Sequence, residues 1–402
     1  MNSVVRQMWE QNTDVVMVDT GNSYEGLCEY VGGKYISYTD EHPITMNPFA
    51  IKREELNIEK IGFLKNLIML IWKGTQGEVT KTEDRLIEQV ITEYFEEYFV
   101  KKQIENMSFN TFYEYSTVRI PQIIKENNLA GIDLAAYNYL LKDFYKGGSH
   151  ELTLNENLDT KLFDETFIVF EIDSIKDDPL LFPLVTLIIM DVFIQKMRIK
   201  KNRKVLVIEE AWKAIASPMM AEYIKYLYKT ARKFWASVGV VTQEIQDIVG
   251  SPIVKEAIIN NSDIVMLLDQ SKFRERFDEI KAILGLTDVD CKKIFTINRL
   301  ENKEGRSFFR EVFIRRGSVG GVFGVEEPHE CYMTYTTERA EKEALKLYKK
   351  ELQCDHQHAI EAYCRDWELS GITKSLPFAQ KVNQAGHVLR LKPKQEKGLN
   401  RL

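Results

Sequence analysis

Cysteine is scarce and unpaired. Cys28, Cys291, Cys331, Cys354 and Cys364 are the only five in 402 residues, an odd number with no CxxC pair. That pattern argues against a disulfide framework and leads us to expect a reduced, cytosolic setting. Positive charge is not in excess either. The balance of 54 Lys and Arg against 60 Asp and Glu gives a net charge of −6, so no overall basic field draws in nucleic acid or anionic lipid. A local basic channel remains compatible with that sum. No signal peptide opens the chain. The longest apolar run, Leu180 to Ile194, is broken by Pro183 and Asp191, which suits a buried helix and not a membrane span. What is present is an ordinary globular balance, 44% hydrophobic and 28% charged, in a chain long enough for two or three domains.

The most informative stretch is Lys204 to Trp212, KVLVIEEAW. Val205, Leu206, Val207 and Ile208 form an unbroken apolar run, the mark of a strand buried on both faces in a helix-covered parallel sheet. Glu209 and Glu210 follow at its carboxyl end, where open α/β sheets bind ligands. In nucleotide-hydrolysing folds this place holds the acids that position magnesium and the attacking water. A solvated acidic turn is the alternative of equal weight.

Other strands alternate with helices around it. Asp14–Asp19 (DVVMVD) and Lys34–Thr39 come first, then Thr166–Asp173, Ser237–Thr242 and Ile264–Leu268. Helical patterns at Leu180–Lys200 and Met219–Phe234 intervene, which argues an α/β fold with a mostly parallel, doubly wound sheet. Between about Arg53 and His150 the pattern is helical without interruption, a helical insertion between two strands. Its aromatic stripe, Phe109, Phe112, Tyr113 and Tyr115, fits core packing better than a nucleic-acid platform. Phe308–Arg315, Gly321–Val325 and Cys331–Thr336 read as a β-meander appended at the sheet edge. The expected organisation is a core beginning at 1–52, a helical insertion at 53–150, the rest of the core with the meander at 151–337, helices at 338–370 and a disordered tail at 371–402.

Three polar features converge on this sheet. Glu209–Glu210 end one strand, Thr242–Gln243 end the next, and Arg232–Lys233 close the helix between them. The Gln243 amide both donates and accepts, so it can sense a γ-phosphate, or it can cap the following helix. The planar, permanently charged guanidinium of Arg232 suits an arginine finger, and helix-dipole compensation explains the pair equally well.

The runs VLVIEEAW (205–212), YLYKTARKFWASVGVVTQE (226–244) and NNSDIVMLLDQ (260–270), with the opening SVVRQMW…DVVMVDTGNSYEGLC, resemble the TraG family of conjugative-transposon ATPases. These are relatives of the type IV secretion motor ATPases within the HerA/FtsK superfamily. The resemblance covers nearly the whole chain and implies a RecA-like P-loop NTPase core, a homo-oligomer, taken as a hexamer, and ATP and Mg2+ as cofactors. It further implies a part in mating-pair formation and DNA transfer, membrane-protein partners of a type IV secretion channel, and a peripheral place at the inner membrane. In such a protein Glu210 would polarise the attacking water, Glu209 would hold the magnesium shell, Thr242 and Lys233 would help hold nucleotide, Gln243 would sense the γ-phosphate, and Arg232 would act locally or across a subunit interface.

The sequence departs from that family in one respect. Its phosphate loop, G-x-x-x-x-G-K-[ST], belongs just before the first helix, and no such motif occurs among the 402 residues. Since the chain opens on a helix where a doubly wound domain normally opens on a strand, the first strand and that loop are expected to be missing, and this chain alone is expected to be an inactive ATPase. A structural subunit of the secretion assembly and a DNA-translocating ATPase are the two other functions the sequence allows.

Overall fold

All seven residues of Thr13–Asp19 (β1) are buried, the condition in which an apolar β-branched run is stable only with both sheet faces covered. β1 lies at the centre of a five-stranded sheet in the computed structural model, which describes residues 1–102, 106–157, 159–210, 218–242, 258–299 and 309–390. Its partners are Lys34–Ser37 (β2), Phe167–Glu171 (β3), Arg203–Glu209 (β4) and Ala236–Val241 (β5), in the order β2-β3-β1-β4-β5. Every pairing is parallel. The chain divides into two compact units, and this sheet belongs to the one made of residues 8–21 and 34–262.

The helix Leu181–Ile199 explains how the sheet is covered. It is apolar nearly all round, and sixteen of its side chains from Leu181 to Met197 are buried, as expected of a helix with no solvent face. Pro183 falls in the first turn, where a missing N–H costs nothing, and the Asp178 carboxylate accepts from the N–H groups of Leu180 and Leu181 at 2.8 and 2.7 Å. This helix packs on β1 and β4 and also on the helix Ile58–Lys73. The 53–150 insertion is helical, chiefly Ile58–Lys73, Lys81–Glu96, Phe109–Glu126 and Leu134–Leu141, but it is not a lobe with its own core. Val16, Ile168 and Leu206 of the sheet share one continuous apolar cluster with Phe63, Leu67 and Trp72. Phe109 and Phe112 are core residues, Phe112 stacking on Phe49 with centroids 4.8 Å apart. Pro121 lies inside the helix Phe109–Glu126.

The other unit comprises residues 1–7, 22–33 and 263–402, and here three expectations are corrected. The strand Ile264–Leu267 (β6) does not join the parallel sheet. It pairs antiparallel with Phe309–Arg316 (β7), which pairs with Val319–Glu326 (β8). Its four residues alternate between exposed and half-buried, a one-sided pattern that suits an antiparallel sheet. The third strand of the meander is instead the helix His329–Tyr335, which starts directly after Pro328; proline's fixed φ suits a helix entry and its missing donor does not suit a ladder. The stretch expected to be a disordered tail contains the helix Ser375–Ala385, because Phe378, Ala379 and Val382 form a buried stripe at helical spacing; residues 391–402 lie outside the described residues. That helix packs with Arg339–Leu352 and His356–Ser370 around Tyr348, Tyr363 and Trp367.

A half-buried histidine ties this unit to pH. His356 Nδ1 lies 3.3 Å from Glu29, which also pairs with Lys349. Burial, with help from Lys349, holds the imidazole below its ordinary value against the opposing pull of Glu29, Glu25 and Asp355. The unfolded chain therefore binds the proton first as pH falls. Stability is insensitive to this group above about pH 6.5 and declines below it. His356→Gln is expected to flatten the fall in melting temperature between pH 7 and 5, measured on the full chain; an unchanged slope would remove His356 as its source.

Candidate nucleotide-hydrolysis edge

β4 carries its acids to the carboxyl edge of the sheet by ordinary strand physics. Val205 to Ile208 are buried and Glu209 is half-exposed. Glu210 then leaves the strand with φ of +48°, a left-handed conformation that costs a residue with a Cβ on the order of 1–3 kcal/mol and tends to mark functional positions.

The register gathers further acids. Asp19 of β1 pairs with Glu171 of β3, and Val18 pairs with Ile208, so the next position along sets Asp19 beside Glu209. Glu171, Asp19 and Glu209 thus form a row across three adjacent strands at one edge. Glu171 is already employed: it accepts from the N–H groups of Asp173 and Gly21 at 2.8 and 3.3 Å and from the Tyr35 hydroxyl at 3.2 Å. It holds the loops behind β1 and β3. Asp19 is fully buried and flanks the Glu209–Glu210 pair directly. It stands outside the candidates that sequence reasoning names, although a strand ending in an acid, DVVMVD, is the signal for it.

Thr242 also belongs to this edge. Glu209 pairs with Val241, the last residue of β5, and Thr242 follows at once. Gln243 lies outside the described residues. The structure therefore brings Glu209, Glu210 and Thr242 together and adds Asp19.

Arg232 and Lys233 stand elsewhere. They are exposed in the turn Arg232–Phe234 that precedes β5, at its amino end. The adjoining Phe234 and Trp235 carbonyls accept from Lys204 at the start of β4, the former from its Nζ at 3.2 Å and the latter from its N–H at 3.0 Å. A parallel strand of six residues spans roughly 20 Å, so within one chain these two cations are on the opposite sheet edge from Glu209 and Glu210. A nucleotide held at the acidic edge is out of their reach in the same subunit.

The donor set fits one end of a magnesium nucleotide and not the other. Among the described residues, no group of three or more His, Cys, Asp and Glu side chains is placed to hold a metal ion. Magnesium asks for less than that, since it keeps several waters and uses one or two carboxylates beside phosphate oxygens. Glu209, with its half-exposed carboxylate, meets that requirement. The phosphates ask for converging amides and a lysine of the kind a GxxxxGK[ST] loop offers, and that motif does not occur in the sequence.

Comparison with known proteins agrees with the fold. The family model of the TraG P-loop domain matches residues 1–367. Protein TraC of Escherichia coli strain K12 is 21% identical over 297 residues, which is 69% of this chain and 31% of TraC, so the chain spans about a third of that relative. Among solved structures, VirB4 of Thermoanaerobacter pseudethanolicus superposes with a TM-score of 0.59 at 19% identity, covering 81% of this chain and 85% of VirB4. The conjugative coupling protein TrwB, in a form with sulphate, gives 0.53 at 11% identity, with 81% and 80% covered. These structures show that the fold is that of the P-loop NTPases.

Proposed function

We propose, from the premise that this chain belongs to the TraG P-loop domain family, that it is motor-core polypeptide of a conjugation or type IV secretion ATPase. The observation that carries the proposal is the Glu209–Glu210 pair at the carboxyl edge of an all-parallel sheet, with Asp19 on one side and Thr242 on the other. Bound nucleotide would supply the phosphoanhydride bond to be hydrolysed. Toward it, Glu209 would hold the magnesium water shell, Thr242 would offer a hydroxyl, and Glu210 would accept a proton from water. Gln243, next after Thr242, would report the state of the γ-phosphate. Asp19, buried beside Glu209, would orient that carboxylate.

Arg232 and Lys233 take a role consistent with their edge only in a ring. Exposed on the far side of the sheet from their own acids, they would serve a neighbouring subunit's nucleotide, as an arginine finger supplied in trans does. This favours the homo-oligomeric reading, a hexamer by family. Secretion-channel membrane proteins are the proposed partners, with the motor held at the inner membrane by them; among the described residues no helix is long and apolar enough to cross a bilayer.

The phosphate cradle decides activity. Phosphoryl transfer depends almost wholly on positioning and charge stabilisation, and acids alone do not position a triphosphate. Among the described residues β5 pairs only with β4, so a parallel strand leading into such a loop has a place beside it. Residues 1–402 alone are expected to turn over ATP near background. The same chain with a strand and GxxxxGK[ST] loop joined ahead of Met1 is expected to show magnesium-dependent hydrolysis. Equal turnover by the two proteins, or none by the joined one, would contradict the proposal.

A further inference from the structure

The antiparallel sheet β6-β7-β8 is apolar on both sides, and only one side is covered. Phe309 and Phe313 of β7 point inward and are buried. The helix Asp288–Ile294 packs against β8 on that side, where Asp290 comes up to Gly320 and Phe313. Strand alternation sends the intervening residues the other way. The register sets Ile264 beside Arg316 and Val319 in one row, Met266 beside Ile314 and Gly321 in the next, and Val312 beside Phe323 in a third. Leu268, one step beyond the Leu267–Phe313 pair, continues the alternation into that third row.

These side chains meet solvent. Ile264, Met266, Leu268, Val319 and Phe323 are all exposed, Leu268 by 67% and Val319 by 75%. An antiparallel sheet with one solvated face normally turns polar residues outward. Among the described residues of this sheet, the outward positions hold no acid, and the only charges are Arg310 and Arg316 toward the two ends of β7. The aromatic ring flattens the surface further. A Cβ at Gly321 would lie 3.3 Å from the Phe323 ring, so that ring leans along β8 over the glycine and leaves its other side to solvent.

Dimensions and charge select what covers this face. Strands about 4.8 Å apart, with the eight residues of β7 and of β8 at about 3.4 Å each, give a strip roughly 10 Å wide and 25 Å long, on the order of 250 Å². A stable complex needs about 800 Å² from each partner, so this face alone does not hold two copies of the chain together. One α-helix with its side chains is about 10–12 Å across and advances about 1.5 Å per residue, so about 16 residues fill the strip. Arg310 and Arg316 are six positions apart in β7, roughly 20 Å, which matches acids about 13 residues apart on that helix.

We propose that the outer face of this sheet docks one amphipathic helix of a partner protein, apolar at intervals of three and four and acidic near both ends. Its apolar stripe would lie over Met266, Ile314 and Phe323, and the two arginines would fix its register. The face shares no residue with the Glu209–Glu210 edge and does not depend on the function proposed for it.

The test is selection of a displayed library of random 16-residue peptides on the full chain, followed by fluorescence anisotropy of the enriched peptides. Enriched sequences are expected to carry apolar residues at i, i+3, i+4 and i+7 with acids about 13 residues apart, and to gain helical circular dichroism on binding. Met266→Ser and Phe323→Ser should each weaken binding about tenfold, as loss of an interface anchor does. Arg316→Gln should weaken it less and reduce its dependence on salt. Val118→Ser, at an exposed apolar residue of the helix Phe109–Glu126, should change nothing. Melting curves check that each variant is folded. No enriched peptide sensitive to the Met266 and Phe323 substitutions, or enrichment of extended peptides that pair with the edge of β6, would overturn the proposal. So would a dimer in sedimentation equilibrium that Phe323→Ser dissociates, which assigns the face to a second copy, or loss of peptide binding by the loop-completed protein, which assigns it to the joined segment.

Discussion

Glu210→Gln, made in a protein that also carries a phosphate loop, is expected to lower ATP turnover by roughly 10²–10⁴-fold, the usual worth of a positioned general base, while nucleotide binding persists. The substitution keeps the shape of the side chain and removes only its charge. The backbone that aims it, at φ of +48°, is equally open to either residue, so the effect should be chemical and not conformational. Glu209→Gln should behave differently, shifting the magnesium concentration needed for turnover, because Glu209 is assigned to the metal shell. Steady-state hydrolysis and equilibrium nucleotide binding, measured on both variants across a magnesium series, separate the two roles. Full turnover by Glu210→Gln would mean that the water-activating carboxylate is another member of the acidic row.

The largest expected loss of stability lies at the other end of the same sheet. Lys196 is fully buried and its ammonium bonds Asp14 at 2.9 Å, the Phe163 carbonyl at 2.8 Å and the Glu165 carbonyl at 2.6 Å. Asp14 also accepts from Asn202 at 2.6 Å. All three ammonium protons are thus used, and the pair costs little only while both members are present. Lys196→Met strands the Asp14 charge in the interior and should destabilise the protein by about 3–5 kcal/mol. Loss of Lys196 has one partial offset: Lys204 is held below its ordinary value by burial, with Lys196 contributing repulsion and Asp14 attraction, so Lys204 can follow Asp14 once its rival is gone. Lys196→Met combined with Asp14→Leu should recover much of the loss, since the cost arises from the unpaired charge. Urea denaturation of the single and double variants beside the parent decides it; a Lys196→Met protein as stable as the parent would show that the network carries no net stability.

How much of the fold and site is legible in the sequence depends on whether the signal is local. β1, β3 and β4 are legible because a doubly buried parallel strand leaves an unbroken apolar run, whereas β5, exposed or half-buried throughout, is legible from its β-branched residues and from the alternation of strand and helix, which also sets Glu209 beside its end. The placement of β6 is not legible. IVML is apolar enough for either sheet, and only its antiparallel pairing with β7 settles which. Cys331–Thr336 has the residue types of a strand, but Pro328 just before it sets a helix. The Ser375–Ala385 helix is masked by a polar, basic surrounding composition, though Phe378 and Val382 four apart are its trace. Asp19 reads as a strand-terminating acid and not as a site residue, because its position beside Glu209 is a fact of register. Arg232 looks close to Glu210 in chain order, and strand direction puts it at the opposite edge. The bare outer face of the antiparallel sheet joins β6 to β7 and β8 through register, so no linear stripe announces it.

The central claim is that nucleotide-bound metal sits at the carboxyl edge marked by Glu209, Glu210 and Thr242. It is tested most directly by loading the loop-completed protein with ATP or ADP, replacing magnesium by Fe2+, and mapping the backbone cuts made by the hydroxyl radicals the iron generates. Cuts are expected next to Asp19, at Glu209–Glu210 and around Thr242, and none at the amino edge around Arg203 and Arg232–Trp235 of the same subunit. Cleavage confined to the amino edge, or absent from Glu209, Glu210 and Thr242, would contradict the assignment of this edge as the hydrolytic site.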